Sequence, residues 1–313
     1  MIKHILLALL SLTCATAGAR AADRLKVVAT VPDLADIARA VGGDRVEVTT
    51  ICKGRENVHN VRPVPSHLVA LSRADVLVQM GLSLEGTWLP SLLLNARNKK
   101  IEPGQPGFVN ASEGWEAIQV PGSVSRRGGD VHPFGNPHMN LDPRFGRHVA
   151  ARVLAGLVAV APDSRAVFEA NCAAYLERLA PAEARWKELG ARLAGAQVVT
   201  YHQEFDYLAT LYGIAIVGTV ESKPGIPPTA AHLAELIETM QSRGVTVILT
   251  AAWSNNRQVE NLAERTGSQV LELPTMVGGA KGADTWIEMQ DLIHARLVDV
   301  LAPAGGAGEA GEE

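Results

Sequence analysis

The sequence predicts an α/β protein of two lobes with parallel-sheet cores, joined by a long helical connector and facing each other across a cleft. Three observations predict this. Seven short Val/Ile-rich runs alternate with helical stretches, three ending by residue 81 and four starting at residue 196. The stretch between the two sets, 143–195, holds no strand-like run and is rich in Ala, Leu, Glu and Arg. Finally, 313 residues of which 47% are apolar and 20% charged suffice for two domains that each bury a core.

Taken in chain order, MIKHILLALLSLTCATAGARAAD opens with Lys3, an apolar run from Ile5 to Leu12 and a small-residue cleavage site at Ala19-Arg20-Ala21. Residues 1–21 are therefore expected to be a secretory signal, and the mature chain to work in a bacterial periplasm. The apolar run falls far short of the ~20 residues that span a bilayer. Ser11 and Thr13 make Cys14 a poor lipid-attachment site.

The first lobe is expected over 22–142, with strands in LKVVATV (25–31), RVEVTTI (45–51) and DVLVQMG (75–81), and a helix starting near Pro65. In the connector, 143–195, Pro162-Asp163 marks a helix start, and Pro181 should kink or restart the helix because it lacks a donor. The second lobe, 196–302, carries AQVVTYH (196–202), IAIVGTV (214–220), VTVILTA (245–251) and QVLEL (269–273). Its clearest helix, 228–244, aligns Leu233, Leu236, Ile237 and Met240, starts near Thr229 and closes at Gly244. The tail, 303–313, is small and acidic and is expected to be disordered.

Charge and composition narrow the function. Without 1–21, Lys3 and Arg20 are lost, leaving 27 basic against 33 acidic residues, a net charge of −6. An acidic surface argues against nucleic acid and anionic membranes and is compatible with a cationic ligand. Cys52 and Cys172 are far apart in sequence and in no CxxC pattern, so buried thiols and a disulfide both stay open. No Walker A motif, dinucleotide fingerprint or GxSxG elbow occurs. The HxE at His202-Gln203-Glu204 lacks the PCxxC partner of a zinc deaminase.

Nine histidines remain to be sorted. His4 belongs to the signal, while His232 and His294 lie beside apolar helix stripes and His148 is flanked by Arg147 and Arg152 on the connector, so all three are expected on solvated faces. His59, in ICKGRENVHNVRPVPSHL, follows the second strand. His202 ends the strand AQVVTYH, and His138 lies in HPFGNPHMNLDP, where Pro137 and Pro143 hold the chain extended. Ligands of α/β sheets bind at strand carboxyl ends, where two lobes would bring these segments together. Spacing alone leaves two readings: unrelated polar loop residues, or imidazole ligands for a borderline metal such as zinc.

Together, three ordered segments resemble the metal-binding solute receptors of bacterial ABC importers for zinc and manganese, the cluster A-I group with a rigid helical connector. NVHNVRPVPSH resembles that family's DPHxYxPxPSD, GNPHMNLDP its NPHxWLDP, and YHQEFDYLATLYG its YHxAFxYLxxxYG. The resemblance runs from about residue 25 to residue 302. It implies a non-enzymatic receptor, probing no substrate chemistry, that holds a divalent metal ion in the cleft and delivers it to an ABC transporter permease, with a monomer expected. His59 and His138 would be metal ligands from the first lobe and His202 from the second. Histidine rather than a carboxylate at 202 favours Zn2+ as cargo.

The departures from the family pattern matter too. Asn57 and Val58 replace Asp-Pro and His67 replaces an aspartate, so the His59 loop is expected to be less stiff and less acidic. The loop after QVLEL, PTMVGGAKGA, has no carboxylate before Asp284, although the family places an aspartate ligand there. Asp284 is expected to cap the last helix. The fourth metal position therefore falls to water, His132, Glu204 or Asp284. His132 is also at most a remnant of the His-rich loop common among zinc receptors. Two rivals remain: a receptor or chaperone for manganese or copper, with Met139 a nearby soft ligand, and a zinc hydrolase using an open coordination position with Glu204 or Asp206 as base.

Overall fold

The structure is a computed structural model describing residues 24–122, 132–254 and 256–302. The expected signal at 1–21, with Cys14, and the tail at 303–313 lie outside the described residues.

Each of the seven apolar runs contains a strand: β1 (Leu25–Ala29), β2 (Val46–Thr50) and β3 (Val76–Gln79), then β5 (Gln197–Thr200), β6 (Ala215–Thr219), β7 (Val247–Ala251) and β8 (Gln269–Leu273). Between the two sets lies β4 (Phe108–Asn110), which is too short to stand out as a β-branched run. The strands form two separate four-stranded sheets, ordered β2-β1-β3-β4 and β6-β5-β7-β8, and every pairing is parallel. The two orders are the same, so each sheet reverses direction at the same place, between its first and third strands. That switch point is where the carboxyl ends of an open α/β sheet leave a crevice.

Central strands are buried on both faces, as in the fully buried β7, whereas the edge strand β2 alternates buried and exposed residues. Helices α1 (Pro32–Gly42), α2 (Pro65–Arg73) and α3 (Leu89–Ala96) connect the first sheet. Between the sheets in sequence come α4 (Phe145–Val160) and α5 (Arg165–Ala191), and α6 (Asp206–Tyr212), α7 (Ala230–Arg243) and α8 (Asn256–Thr266) connect the second. The last helix, α9 (Trp286–Leu301), packs on α5. As its sequence suggests, α7 is capped by the Thr229 hydroxyl, and Gly244 closes it at φ 67°, a left-handed conformation that suits glycine.

Of the two outcomes expected at Pro181, a kink or a restart, the restart does not occur: α5 continues for 27 residues through it. Phe168, Cys172, Tyr175, Leu179, Ala182, Trp186 and Gly190 form one buried stripe that continues on both sides of the proline. Pro181 and Glu177, whose carbonyl loses its donor, are both exposed residues, which puts the lost hydrogen bond on the solvent side of the helix.

The lobes are tied together beside the cleft. Asn140 Nδ2 donates to Asp33 Oδ1 (3.1 Å) and to the Thr275 carbonyl (2.8 Å), while the Val277 amide donates to Asp33 Oδ2 (3.3 Å). The Trp286 indole donates to the Asn140 carbonyl (2.9 Å). Gly54 permits a further close approach, since a Cβ there would lie 2.3 Å from the Val277 carbonyl oxygen.

Candidate metal centre

His59 lies in the loop after β2, in a short turn at Val58–Asn60. The Asn57 side chain accepts from its amide (2.9 Å), the Thr87 hydroxyl donates to its carbonyl (2.6 Å), and the Trp88 indole donates to the Val58 carbonyl (2.9 Å). The loop is thus pinned without a proline at 58, which corrects the expectation of lost stiffness. His138 is held the same way, because the side chain of Asn136, two residues earlier, accepts from its amide (2.9 Å). Asn136 is itself fixed from the second lobe, donating to the Gln203 carbonyl (2.8 Å) and accepting from the Tyr207 hydroxyl at its own carbonyl (2.7 Å). Asparagine in both places does what its short amide does in turns, closing a ring onto the backbone two residues on.

His202 comes from the other side, two residues beyond the end of β5. Its Nδ1 lies 2.9 Å from Glu221 Oε2, which also accepts from the Gly225 amide (3.0 Å). A carboxylate at Nδ1 calls for a proton there, which leaves the Nε2 lone pair directed away from Glu221. That nitrogen lies 3.3 Å from His138 Nε2.

The structure therefore brings together all three histidines singled out in the sequence. Their ring centroids are 5.0 to 5.2 Å apart, and one nitrogen from each lies within 4.8 Å of the others. All three are buried, and neither nitrogen of His59 has a hydrogen-bond partner among the described residues. Burial, then the neighbouring imidazoles, hold His59 and His138 well below the ordinary histidine range. Burial also disfavours the charged form of His202, but the hydrogen bond to Glu221 and the nearby carboxylates outweigh it and raise this group. Two neutral imidazoles and a third oriented by a carboxylate present nitrogen lone pairs to one point. Borderline divalent metals favour such a donor set.

Around this cluster, the His132 ring lies against His59, tilted by 34° with 5.2 Å between centroids. His132, His138 and His202 line an opening of about 260 Å³ together with Asn136, Gln203 and Pro224. Trp253, after β7, sets its ring edge-on to His202 at 5.6 Å. Glu204 is fully buried, and burial pushes its carboxyl up to about 7. The Trp253 indole approaches it and offsets part of that effect, yet not in hydrogen-bonding geometry: both Glu204 oxygens are without a partner among the described residues.

Other expectations need correction. Asp284 is exposed and is not the cap of α9; the Thr285 hydroxyl accepts from the Glu288 amide instead, in a reciprocal capping box. Met139 is buried in the hydrophobic core. His294, expected on a solvated face, is fully buried, with Nδ1 on the Gln290 carbonyl (2.7 Å) and Nε2 on the Tyr212 hydroxyl (2.8 Å). His148 and His232 are half-buried and contact the carbonyls of Ala111 and Thr219. Cys52 and Cys172 are buried free thiols. Sequence reasoning missed Glu221 and Trp253, although the first directly follows the run 214–220 and the second comes two residues after the run 245–251, where a search at strand exits would reach them.

Comparisons with known proteins agree on this architecture. The family model described as zinc-uptake complex component A, periplasmic, matches residues 27–300. The manganese ABC transporter substrate-binding lipoprotein PsaA of Streptococcus pneumoniae is 26% identical over 265 residues, covering 83% of this chain and 82% of the relative. The zinc-binding lipoprotein AdcA of S. pneumoniae serotype 4 is also 26% identical, over 79% of this chain but 49% of its own length. The iron ABC transporter substrate-binding lipoprotein MtsA of Streptococcus pyogenes serotype M1 is 25% identical over 82% of each chain. A crystal structure of ZnuA shares the fold, with a TM-score of 0.73 at 23% identity, over 88% of this chain and 99% of that one.

Proposed function

The chain belongs to the family of the periplasmic zinc-uptake complex component A, and from that premise we propose that it is an exported zinc receptor feeding an ABC importer. His59 and His138 from one lobe and His202 from the other hold the ion, which the protein then passes to the importer's permease in the periplasmic space. The carrying observation is the convergence of three buried imidazoles, one of them with no partner on either nitrogen among the described residues. A transport role accords with relatives named as ABC transporter substrate-binding proteins.

The relatives are named for zinc, manganese and iron, so the choice of zinc rests on the donor set. Three imidazole nitrogens suit zinc, whereas manganese prefers oxygen donors. Protons compete with the metal for the same lone pairs, and His202, the raised group, takes one first as pH falls. Zinc affinity is therefore expected to decline from above the ordinary histidine value of ~6.5 downward.

The test is elemental analysis of the protein purified without residues 1–21, together with His138→Ala. One equivalent of zinc in the parent and none retained after dialysis of the variant is the expected result. Stoichiometric zinc in His138→Ala would overturn the ligand assignment, and manganese or iron in preference to zinc in the parent would overturn the cargo.

A further inference from the structure

We infer that Glu204 is the anionic partner of the bound cation, acting on it across a single enclosed water rather than as a structural group of the second lobe. This deepens the zinc-receptor reading and rests on it. Three neutral imidazoles bind a dication without cancelling any of its charge. In a buried site that charge is costly unless an anion faces it. Glu221 is committed to His202 Nδ1 and to the Gly225 amide. Asp206 accepts from Gln119 at Oδ1 and, although its Oδ2 has no partner among the described residues, it does not line the cavity that Glu204 shares with His138; Asp284 is exposed.

Glu204 has no such commitment. It sits two residues after His202, is 0% exposed, and neither oxygen has a hydrogen-bond partner among the described residues. Burying an unpaired carboxylate is costly, so a fold that keeps one needs something to match it. The carboxylate and His138 line the same small cavity between the lobes, which Asn140, Thr275 and Trp253 help to enclose. Its volume is about 10 Å³, about what one water needs; Val31, Val58, Met80, Leu84 and Met276 form the apolar part of its wall, and Glu204, His138 and Thr275 supply polar partners for such a water. The three histidines form the close-set donor group without Glu204, which places the carboxylate one shell out. A water bound to the ion would donate one hydrogen bond to Glu204 and so carry its charge to the metal.

The test compares the parent with Glu204→Gln, which keeps the shape and removes the charge. Zinc affinity is read by competition with a chromophoric chelator, the metal-free melting temperature by calorimetry, and the coordination shell by the absorption of Co2+ loaded in place of zinc. The expected result is a 10- to 100-fold loss of zinc affinity, the range for outer-shell partners. The metal-free melting temperature should be unchanged or higher, because the variant no longer buries an unpaired carboxylate, and the Co2+ bands should be unchanged. Unchanged zinc affinity, or a loss of affinity accompanied by a lower melting temperature, would overturn the inference. Altered Co2+ bands would overturn its water-mediated form by showing direct ligation. Should Glu204→Gln fail to fold, Glu204→Met, of similar volume, carries the same comparison. If the parent itself binds no zinc, the functional reading fails; if the parent binds and the variant binds equally, only this inference does.

Discussion

Two sets of buried histidines in this molecule have similar exposure and opposite chemistry. His294, inside the packing of α5, α6 and α9, stacks on Trp186 at 5.6 Å and has both nitrogens engaged. Burial drives its pKa down to about 4, so it is a neutral core residue whose hydrogen bonds are complete. His59, in the cleft, is as neutral and nearly as buried, but both its nitrogens lack partners among the described residues. The difference teaches that burial does not identify a ligand. An available lone pair does, because an unsatisfied buried imidazole costs stability that only binding restores.

The sharpest way to break this comparison is to remove one histidine from each set. His59→Ala is expected to weaken zinc binding by more than the roughly 100-fold that losing an outer-shell partner costs. The metal-free protein should lose little stability, and titration calorimetry with thermal melts on the same samples reads both. His294→Ala should do the reverse. Losing the packed ring and stranding the Tyr212 hydroxyl is expected to cost about 2–4 kcal/mol in denaturant unfolding while zinc affinity holds. If His294→Ala altered affinity as much as His59→Ala does, the division between the two sets would collapse.

Acid titration of the metal-free protein tests both sets at once. His59, His138 and His294 all have depressed values, so in the unfolded chain they take up protons near ~6.5 that the folded chain refuses. Their contribution to stability therefore falls as pH drops below that value. His202 is raised, so its contribution has the opposite sign: fully present below ~6.5 and lost as pH rises through its folded value. Burial pushes the carboxyls of Asp33 and Glu204 up to about 7, and they act in the same sense as His202, so the histidine contribution is read as a difference between parent and variant. Urea melts at pH 7.5 and 5.5 on the parent and on His294→Ala measure it: acidification should cost the variant less stability than the parent, and an equal change in both would contradict the neutral state assigned to His294.

A smaller effect is expected at the group that orients His202. Glu221→Ala frees Nδ1 to carry or lose its proton, and zinc affinity should fall about tenfold, at the lower end of the outer-shell range. The pH at which binding fails should also move down, because the carboxylate that raises His202 has gone. A change in affinity without that movement would mean that Glu221 merely fills space.

Much of this was legible along the chain. Val/Ile-rich runs mark buried parallel strands because both faces must be apolar, and a proline-stiffened loop at a strand exit marks His138 as placed rather than incidental. Other features left no local trace. β4 is held by its register against β3, with Val78 opposite Val109, and three residues carry no periodicity of their own. Pro181 reads as a helix breaker, yet the buried stripe on either side of it prevails over one lost hydrogen bond. His294 looked peripheral because the residue that completes it, Tyr212, is 82 positions away.

By itself, then, the sequence determined the two α/β lobes, the strand exits and the three histidines that meet in the cleft. Only the tertiary structure decided which buried histidines keep a lone pair to give, that Glu221 orients one of them, and that Glu204 lies beneath the cluster without a partner. The reason is physical. Chain periodicity encodes which face of an element is buried, but the satisfaction of a buried polar group depends on partners brought from remote parts of the chain.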